Sequence, residues 1–322
     1  MKILIKRLVS TQVFDLVFSV LIILPAYILL LYRLLGSVRM PKTTKQLKKI
    51  GVFPIRDHYY EPLFNDALLT SPLDSDRNLP GINFNVNAQI ELLSKMTFSE
   101  EIINLIENPP VHGVGSFSLN NGSFESGDAE FLYQLIRLIK PNKIVEIGSG
   151  NSTKIAQLGL RQNNLETGEI YKHICIEPYE QPWLEKLSGL EVIRKKVEDV
   201  DFDWSKEICP GDLLFIDSSH VIRPQGDILK EYLEIFPSLQ SGVFVHIHDI
   251  FSPKDYLKPW LKDEVKFWNE QYLLEALLSN TNKYEVVAAL NLLKHKHYSE
   301  LKKVCPFLTK DREPGSFYFK TN

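Results

Sequence analysis

The chain has 322 residues, of which 44% are hydrophobic and 24% are charged, and its formal net charge is −3. This length and apolar content suffice for one large α/β domain with additional segments. A net charge so close to zero provides no basic field for nucleic acid, so we expect no nucleic-acid partner. Three cysteines, Cys175, Cys209 and Cys305, are too few and too widely spaced for a disulfide framework or a zinc site, and they indicate a reducing compartment.

An apolar run near the N-terminus is the first strong pattern along the chain. Residues 16–35 are nearly all apolar or aromatic, and Arg33 is their only charge. Twenty such residues have the length of a bilayer-spanning helix, in which Pro25 is tolerated. The run is long for a cleaved signal peptide, and no clear small-x-small cleavage site follows it. We therefore favour a retained single-pass membrane anchor over a signal peptide.

Basic residues on the two sides of this run predict its orientation. The short N-terminal segment, residues 1–15, carries Lys2, Lys6 and Arg7. More basic residues lie at the C-terminal end of the run and after it, at Arg33, Arg39, Lys42, Lys45, Lys48 and Lys49. Because cytoplasmic flanks carry an excess of Lys and Arg, we expect the C-terminal domain to face the cytoplasm.

Residues 40–125 combine turn formers with aromatic side chains, as in residues 53–60. Turn formers recur along the segment at Pro41, Pro54, Pro62, Pro72, Pro80, Gly81, Pro109, Pro110 and Gly113. Such a stretch is too apolar for a simple linker and too broken for a domain of its own. We expect it to wrap around the following domain, with a lid over the substrate pocket as the alternative. Residues 87–95 are its one predicted helix.

Residues 126–322 alternate helical patterns with short apolar strands, which is typical of a doubly wound α/β domain. Ser126 is the candidate cap of a helix that extends to about Lys140. Further helices are predicted over residues 153–161 and 268–278. Strands are predicted at residues 143–147, 173–177, 190–196, 211–217, 242–249, 284–290 and 316–320. The pattern therefore predicts a seven-stranded, mostly parallel sheet.

A glycine turn follows the first predicted strand and leads into a helix. This arrangement lays a ligand against backbone N–H groups at the positive end of the helix. Gly148 and Gly150 let the backbone approach that ligand closely, and Glu146 supplies a carboxylate that suits a cationic or hydroxyl-rich ligand. Ser149 and Ser152 complete the predicted cofactor-binding turn.

Glu177 ends the second predicted strand. An acid at this place in a doubly wound sheet is positioned to bind both ribose hydroxyls of a nucleoside. The alternative is an acid that only ends a strand.

Four segments together resemble class I S-adenosylmethionine-dependent methyltransferases. They are IVEIGSGNST, ICIEP, LLFIDSSH and VHIHDIF, at residues 144–153, 174–178, 213–220 and 245–251. The branch they resemble contains metal-dependent sugar and antibiotic O-methyltransferases and related cephalosporin-biosynthesis enzymes. The resemblance covers about residues 126–322 and implies a Rossmann-like sheet whose seventh strand closes it. It also implies that Glu198 or Asp199 contacts adenine.

Acids follow the fourth and fifth predicted strands, and in the resembled branch such acids hold Mg²⁺. The matching positions are Asp217, His248 and Asp249, with His248 standing where an acid is common. Since these strands are neighbours in that topology, the three side chains should converge at the carboxyl edge of the sheet. Two carboxylates and an imidazole suit Mg²⁺ or Mn²⁺ better than zinc. The alternative is that the acids cap strand ends or help bind the cofactor.

Other histidines have more local interpretations. His220 follows Asp217 closely and is a candidate general base, because a neutral imidazole can accept a proton near pH 7. A structural hydrogen bond is the alternative for it. His246 lies inside a strand and is expected in the core, whereas His295 and His297 are expected in a solvated loop.

The resemblance implies in-line transfer of a methyl group to a hydroxyl oxygen, with Asp217 and His220 or a metal assisting. A membrane anchor suggests a sugar or glycan acceptor linked to a lipid. Two other classes stay open. A nicotinamide-dependent oxidoreductase is disfavoured because a single Gly-Ser-Gly turn replaces GxGxxG. A tethered module that binds a nucleoside without catalysis is the other.

Overall fold

The computed structural model describes residues 12–57, 61–64, 68–108, 117–179 and 181–322. Several residues used in the sequence analysis lie outside these ranges, namely Lys2, Lys6, Arg7, residues 58–60, Pro109, Pro110 and Gly113. Backbone contacts divide the chain into two compact units, Met1–Thr70 and Ser71–Asn322. This division falls inside the predicted segment 40–125.

Two consecutive helices, α1 (Gln12–Leu21) and α2 (Ile23–Leu35), dominate the described part of the first unit. They include a 22-residue stretch, Phe14–Leu35, with a mean hydropathy of 2.5, long and apolar enough to cross a membrane. A signal sequence meets the same criterion, so retention and orientation stay predictions. Pro25 accounts for the break at Ile22, because it has no N–H to donate to the carbonyl four residues before it.

A short polar helix, α3 (Pro41–Ile50), follows in the same unit. Proline stands at its first position, where the missing N–H costs no helical hydrogen bond. Gly51 ends it in the left-handed conformation, with φ of 86°.

A seven-stranded sheet forms the centre of the second unit. Its strands are β1 (Lys143–Ile147), β2 (Lys172–Ile176), β3 (Glu191–Ile193), β4 (Leu213–Ile216), β5 (Phe244–Ile247), β6 (Tyr284–Ala289) and β7 (Phe317–Thr321). They lie in the order β3-β2-β1-β4-β5-β7-β6. The first five are parallel, and β7 is antiparallel to both β5 and β6. This order confirms the predicted doubly wound, mostly parallel sheet.

Helices cover both faces of this sheet. In chain order they are α4 (Val86–Lys95), α5 (Ser99–Glu107), α6 (Asp128–Ile139), α7 (Asn151–Thr167), α8 (Trp204–Glu207), α9 (Asp227–Lys230), α10 (Phe236–Ser238), α11 (Lys258–Lys262), α12 (Glu270–Leu278), α13 (Leu290–Lys296) and α14 (Tyr298–Val304). A π-helical segment, Glu231–Ile235, joins α9 to α10. Single 3₁₀ turns occur at Leu184–Lys186 and Val197–Asp199.

Alternation along the strands explains the two cores. Val145 and Ile147 point to the face covered by α9 and α12, whereas Ile144 points to the face covered by α6 and α7. Because both faces are covered, the strands are apolar almost throughout, as parallel strands require. Each fully buried side chain of this size contributes about 1.5–3 kcal/mol to the free energy of unfolding.

Two local expectations were wrong. Ser126 does not cap α6: the helix begins at Asp128 behind Gly127, whose N–H donates to Glu130 Oε2 at 2.5 Å. Gly127 has φ of 97°, which a serine would adopt only with strain. His295 lies in the last turn of α13 rather than in a loop, and its Nε2 is 2.8 Å from Glu313 Oε2.

Candidate active site

The glycine turn after β1 is shaped by a close approach to the loop after β4. Gly148 has φ of 78°, and a Cβ atom there would lie 1.9 Å from the carbonyl oxygen of Asp217. The N–H of Asp217 donates to the carbonyl of Ile147 at 2.9 Å, which holds the two loops together. Only glycine satisfies both constraints, so Gly148 and Asp217 are neighbours at the carboxyl edge of the sheet.

A cavity of about 270 Å³ opens beside this turn. Its lining includes four residues predicted to bind the cofactor, Gly148, Glu177, Glu198 and Asp217. The carboxylate of Glu177 accepts hydrogen bonds from the N–H groups of Ser149 at 3.3 Å and Tyr179 at 2.8 Å. These bonds fix the orientation of Glu177 at the end of β2, where the sequence predicts contact with ribose.

Glu146 lies behind the turn rather than in this cavity. Its side chain is fully buried, and its Oε2 accepts a hydrogen bond from the hydroxyl of Thr153 at 2.5 Å. The same hydroxyl accepts the N–H of Gly150 at 3.1 Å. His173 Nε2 lies 3.2 Å from Glu146 on the other side. The structure therefore places Glu146 as an internal support of the glycine turn.

Other predicted cofactor residues lie close to the cavity without lining it. Ser149 and Ser152 are buried, and Asp199 ends a 3₁₀ turn whose preceding residue, Glu198, does line the cavity. Gly150 precedes the first residue of α7. Direct contact of these four with a cofactor stays a prediction.

The three predicted metal ligands do converge. One ligand atom from each of Asp217, His248 and Asp249 lies within 4.8 Å of the others. His248 Nδ1 is 3.6 Å from Asp217 Oδ2 and 3.5 Å from Asp249 Oδ1. This buried nitrogen has no hydrogen-bond partner in the part of the chain that the structure describes. Two carboxylates and an imidazole nitrogen without a partner fit a hard divalent cation such as Mg²⁺ or Mn²⁺.

Charges within this cluster balance one another. Burial alone would lower the pKa of His248, but Asp249 and Asp217 raise it well above its usual range. Burial would raise the pKa of Asp217, yet the neighbouring His248 and His220 lower it below its usual range. For Asp249 burial prevails, and its pKa is raised. Burial and the neighbouring charges thus shift the pKa values of all three groups away from their usual ranges.

His220 bridges the two carboxylates from the opposite side. Its Nε2 lies 3.3 Å from Asp217 Oδ1 and 3.6 Å from Asp249 Oδ2, and its Nδ1 lies 2.8 Å from Glu270 Oε2. Burial opposes its charge, but its bonds to Asp217 and Glu270 raise the pKa of His220 to about 10. The ring therefore keeps its proton near pH 7 in this arrangement, which argues against the expected general-base role.

His246 is a core residue, as predicted from its place inside β5. It is fully buried, and its ring stacks on Tyr318 with 4.1 Å between centroids and 19° between planes. Burial lowers the pKa of His246 well below its usual range, so the imidazole is neutral.

A second cavity, of about 310 Å³, reaches the metal cluster from the other side. Its lining combines acids, one arginine and two aromatic rings, and includes Glu125, Ser126, Asp128, His248, Asp249, Phe251, Trp260, Arg312 and Glu313. Asp128 Oδ2 lies 3.8 Å from His248 Nε2 and accepts the N–H of Ser316 at 2.7 Å through its other oxygen. Sequence reasoning missed Asp128, Trp260 and Glu270, because nothing local connects them to Asp217 or His248.

Two sequence comparisons match part of this chain. Residues 145–250 match the family profile described as "Methyltransferase domain". An uncharacterized protein of Archaeoglobus fulgidus is 28% identical over 168 residues, which cover 49% of this chain and 74% of that protein.

Solved structures of methyltransferases are similar at lower identity. The 1,6-didemethyltoxoflavin-N1-methyltransferase of Burkholderia thailandensis, solved with S-adenosylhomocysteine, is 8% identical with a TM-score of 0.30, covering 77% of this chain and 95% of that one. The CMeT domain of the citrinin polyketide synthase is 12% identical with a TM-score of 0.34, covering 73% and 65%.

The similarity to methyltransferases in sequence rests on residues 145–250. The matched residues contain the glycine turn, Glu177, Asp217 and His248. Residues 145–250 are therefore similar in sequence to a methyltransferase domain.

Proposed function

We propose that this protein methylates a hydroxyl group of a sugar or glycan-like acceptor, assisted by a Mg²⁺ or Mn²⁺ ion at Asp217, His248 and Asp249. One observation carries the proposal: residues of one cluster line two different cavities. Asp217 lines the first cavity, with Glu177 and Glu198, whereas His248 and Asp249 line the second. A methyl donor in the first cavity and an acceptor in the second would meet at this cluster, as in-line transfer requires.

Donor binding is assigned to the first cavity. Glu177 would accept hydrogen bonds from the ribose hydroxyls, since its carboxylate is held in place by Ser149 and Tyr179. Glu198 would face the adenine end. Gly148 lines the same cavity, at the turn that leads into α7.

Acceptor binding is assigned to the second cavity, because the chemistry of its lining suits a polyhydroxyl molecule. Asp128, Arg312 and Glu313 offer charged hydrogen-bonding groups, while the rings of Phe251 and Trp260 offer flat surfaces for the C–H faces of a sugar. The volume lies at the lower end of the range for small-molecule sites, about 300–1,000 Å³. One or two sugar rings would fill it.

Proton removal is the second chemical requirement. The acceptor oxygen forms a bond to the methyl carbon as the carbon–sulfur bond breaks, and the hydroxyl proton must leave. A bound divalent ion would polarise that hydroxyl and lower its pKa. Asp249 lines the acceptor cavity, where its carboxylate could accept that proton.

The apolar helix of the first unit supports an acceptor at a membrane. If Phe14–Leu35 is a retained span with the domain on the cytoplasmic side, a lipid-linked sugar would be presented to the enzyme on the same surface. This part of the proposal rests on the length and composition of that helix.

The test uses the full-length protein in detergent. S-adenosylhomocysteine is titrated calorimetrically into the wild type, Glu177→Ala and the control Glu169→Ala, which changes an exposed acid. Transfer of a labelled methyl group is then followed with free monosaccharides and with lipid-linked sugars, with Mg²⁺ and with chelator. We expect micromolar binding that only Glu177→Ala loses, and transfer that needs Mg²⁺. Binding without transfer to any sugar would overturn the acceptor assignment.

A further inference from the structure

The start of α12 connects the two loops that carry the metal cluster. Asn269 donates its backbone N–H to the carbonyl of His220 at 3.0 Å, and its side-chain oxygen accepts the N–H of Ile222 at 2.7 Å. Gln271 accepts the N–H of Phe251, in the loop after β5, at 2.6 Å. The loops after β4 and β5 are therefore both held by residues at the same end of one helix.

Glu270 stands between these two residues and reaches the cluster through His220. It is fully buried, and its Oε2 contacts His220 Nδ1 at 2.8 Å. Its other oxygen accepts the hydroxyl of Tyr232 at 3.1 Å. Tyr232 belongs to the π-helical segment, a rare irregularity that often occurs beside functional sites. Both oxygens of Glu270 are thus fixed.

Two residues of this cluster have strained backbone conformations. His220 and Asp249 both have φ of 60°, in the left-handed region that residues other than glycine seldom adopt. Such conformations are strained and persist only where the surroundings determine them. Here they aim the imidazole of His220 and the carboxylate of Asp249 at each other, 3.6 Å apart.

We infer that Glu270 is a positioning residue that acts through His220 to hold the carboxylates of Asp217 and Asp249 at the separation a divalent cation requires. The two carboxylates stand on separate loops, and His220 Nε2 lies between them, 3.3 Å from Asp217 Oδ1 and 3.6 Å from Asp249 Oδ2. Glu270 fixes the ring with Nε2 toward both acids, just as outer carboxylates orient histidines at metal sites. This inference rests on the proposed metal site.

Two matched variants on α12 test the inference in the full-length protein. Glu270→Gln removes the charge behind His220 without changing size. Glu275→Gln makes the same change one turn further, where the carboxylate contacts Arg77 at 2.7 Å and Ser252. Mn²⁺ alone is titrated into each protein, and the ring position of His220 is read from metal-free crystals.

We expect Glu270→Gln to weaken Mn²⁺ binding by at least about tenfold and to rotate or shift the His220 ring. It should lower kcat for methyl transfer and leave KM for S-adenosylmethionine within twofold. Glu275→Gln should leave Mn²⁺ affinity and the ring unchanged. An unmoved ring in Glu270→Gln would overturn the inference. If the wild type binds no Mn²⁺, the metal proposal fails, and the crystals still decide whether Glu270 positions His220.

Discussion

Gly148 and Asp217 approach each other so closely that no side chain fits between the turn after β1 and the loop after β4. A Cβ atom on Gly148 would lie 1.9 Å from the carbonyl oxygen of Asp217, and backbone cannot yield as a flexible side chain can. This contact joins the wall of the first cavity to the metal cluster, because Asp217 contributes to both.

Gly148→Ala should therefore abolish binding of S-adenosylhomocysteine and destabilise the fold. The control is Gly168→Ala, since Gly168 also has positive φ, 74°, but a Cβ atom there would meet nothing within 4 Å. We expect Gly168→Ala to cost about 1 kcal/mol from backbone strain alone, and Gly148→Ala to cost at least ~2 kcal/mol more. Urea unfolding and calorimetry measure both effects. An equal loss of unfolding free energy in the two variants would contradict the structural role of the contact between Gly148 and Asp217.

Asp249→Asn should separate metal binding from cofactor binding. Asp249 lines the second cavity and the metal cluster, whereas the donor is assigned to the first cavity. We expect the Mn²⁺ affinity of the variant to fall by more than about tenfold, while its affinity for S-adenosylhomocysteine stays within threefold of the wild-type value. Calorimetric titration with each ligand measures this. The exposed Asp263→Asn serves as control, and unchanged Mn²⁺ affinity in Asp249→Asn would remove it from the ligand set.

The bridging His220 should make the metal-free protein less stable at alkaline pH. Burial opposes its charge, but Asp217 and Glu270 raise the pKa of His220 to about 10, above the ordinary value of 6.5. A raised pKa in the folded state stabilises the protein fully below about pH 6.5, and this contribution is lost as pH rises toward 10. The melting temperature of chelator-treated protein should therefore fall between pH 7 and 9.5.

A histidine pair provides the control for this pH effect. His220→Gln should show a shallower fall in melting temperature, whereas His297→Gln, outside the cluster, should follow the wild type. Parallel curves for all three proteins would show that His220 does not carry the effect.

Site residues that directly follow a predicted strand could be placed from the sequence, whereas residues far apart along the chain could not. Asp217, His248 and Asp249 follow short apolar strands directly, and the ends of neighbouring parallel strands meet, so their convergence was predictable. The direction of Glu146 follows from alternation along β1, because it is two residues after Ile144 and both side chains turn toward α7. Glu270 lies 50 residues from His220, and only the tertiary fold brings them together.

Trp260→Leu should weaken binding of the acceptor and leave binding of the methyl donor unaffected. Trp260 lines the second cavity beside Phe251, whose ring centroid is 5.3 Å from its own at 82°. Losing a flat ring that packs on a sugar should cost about 1.4 kcal/mol, or tenfold in KM for the sugar found active in the labelled-methyl assay. KM for S-adenosylmethionine should stay within twofold. Trp183→Leu is the matched control, because Trp183 is also half-buried and lines neither cavity. If KM for S-adenosylmethionine rises together with KM for the sugar, Trp260 stabilises the fold and does not act specifically in acceptor binding.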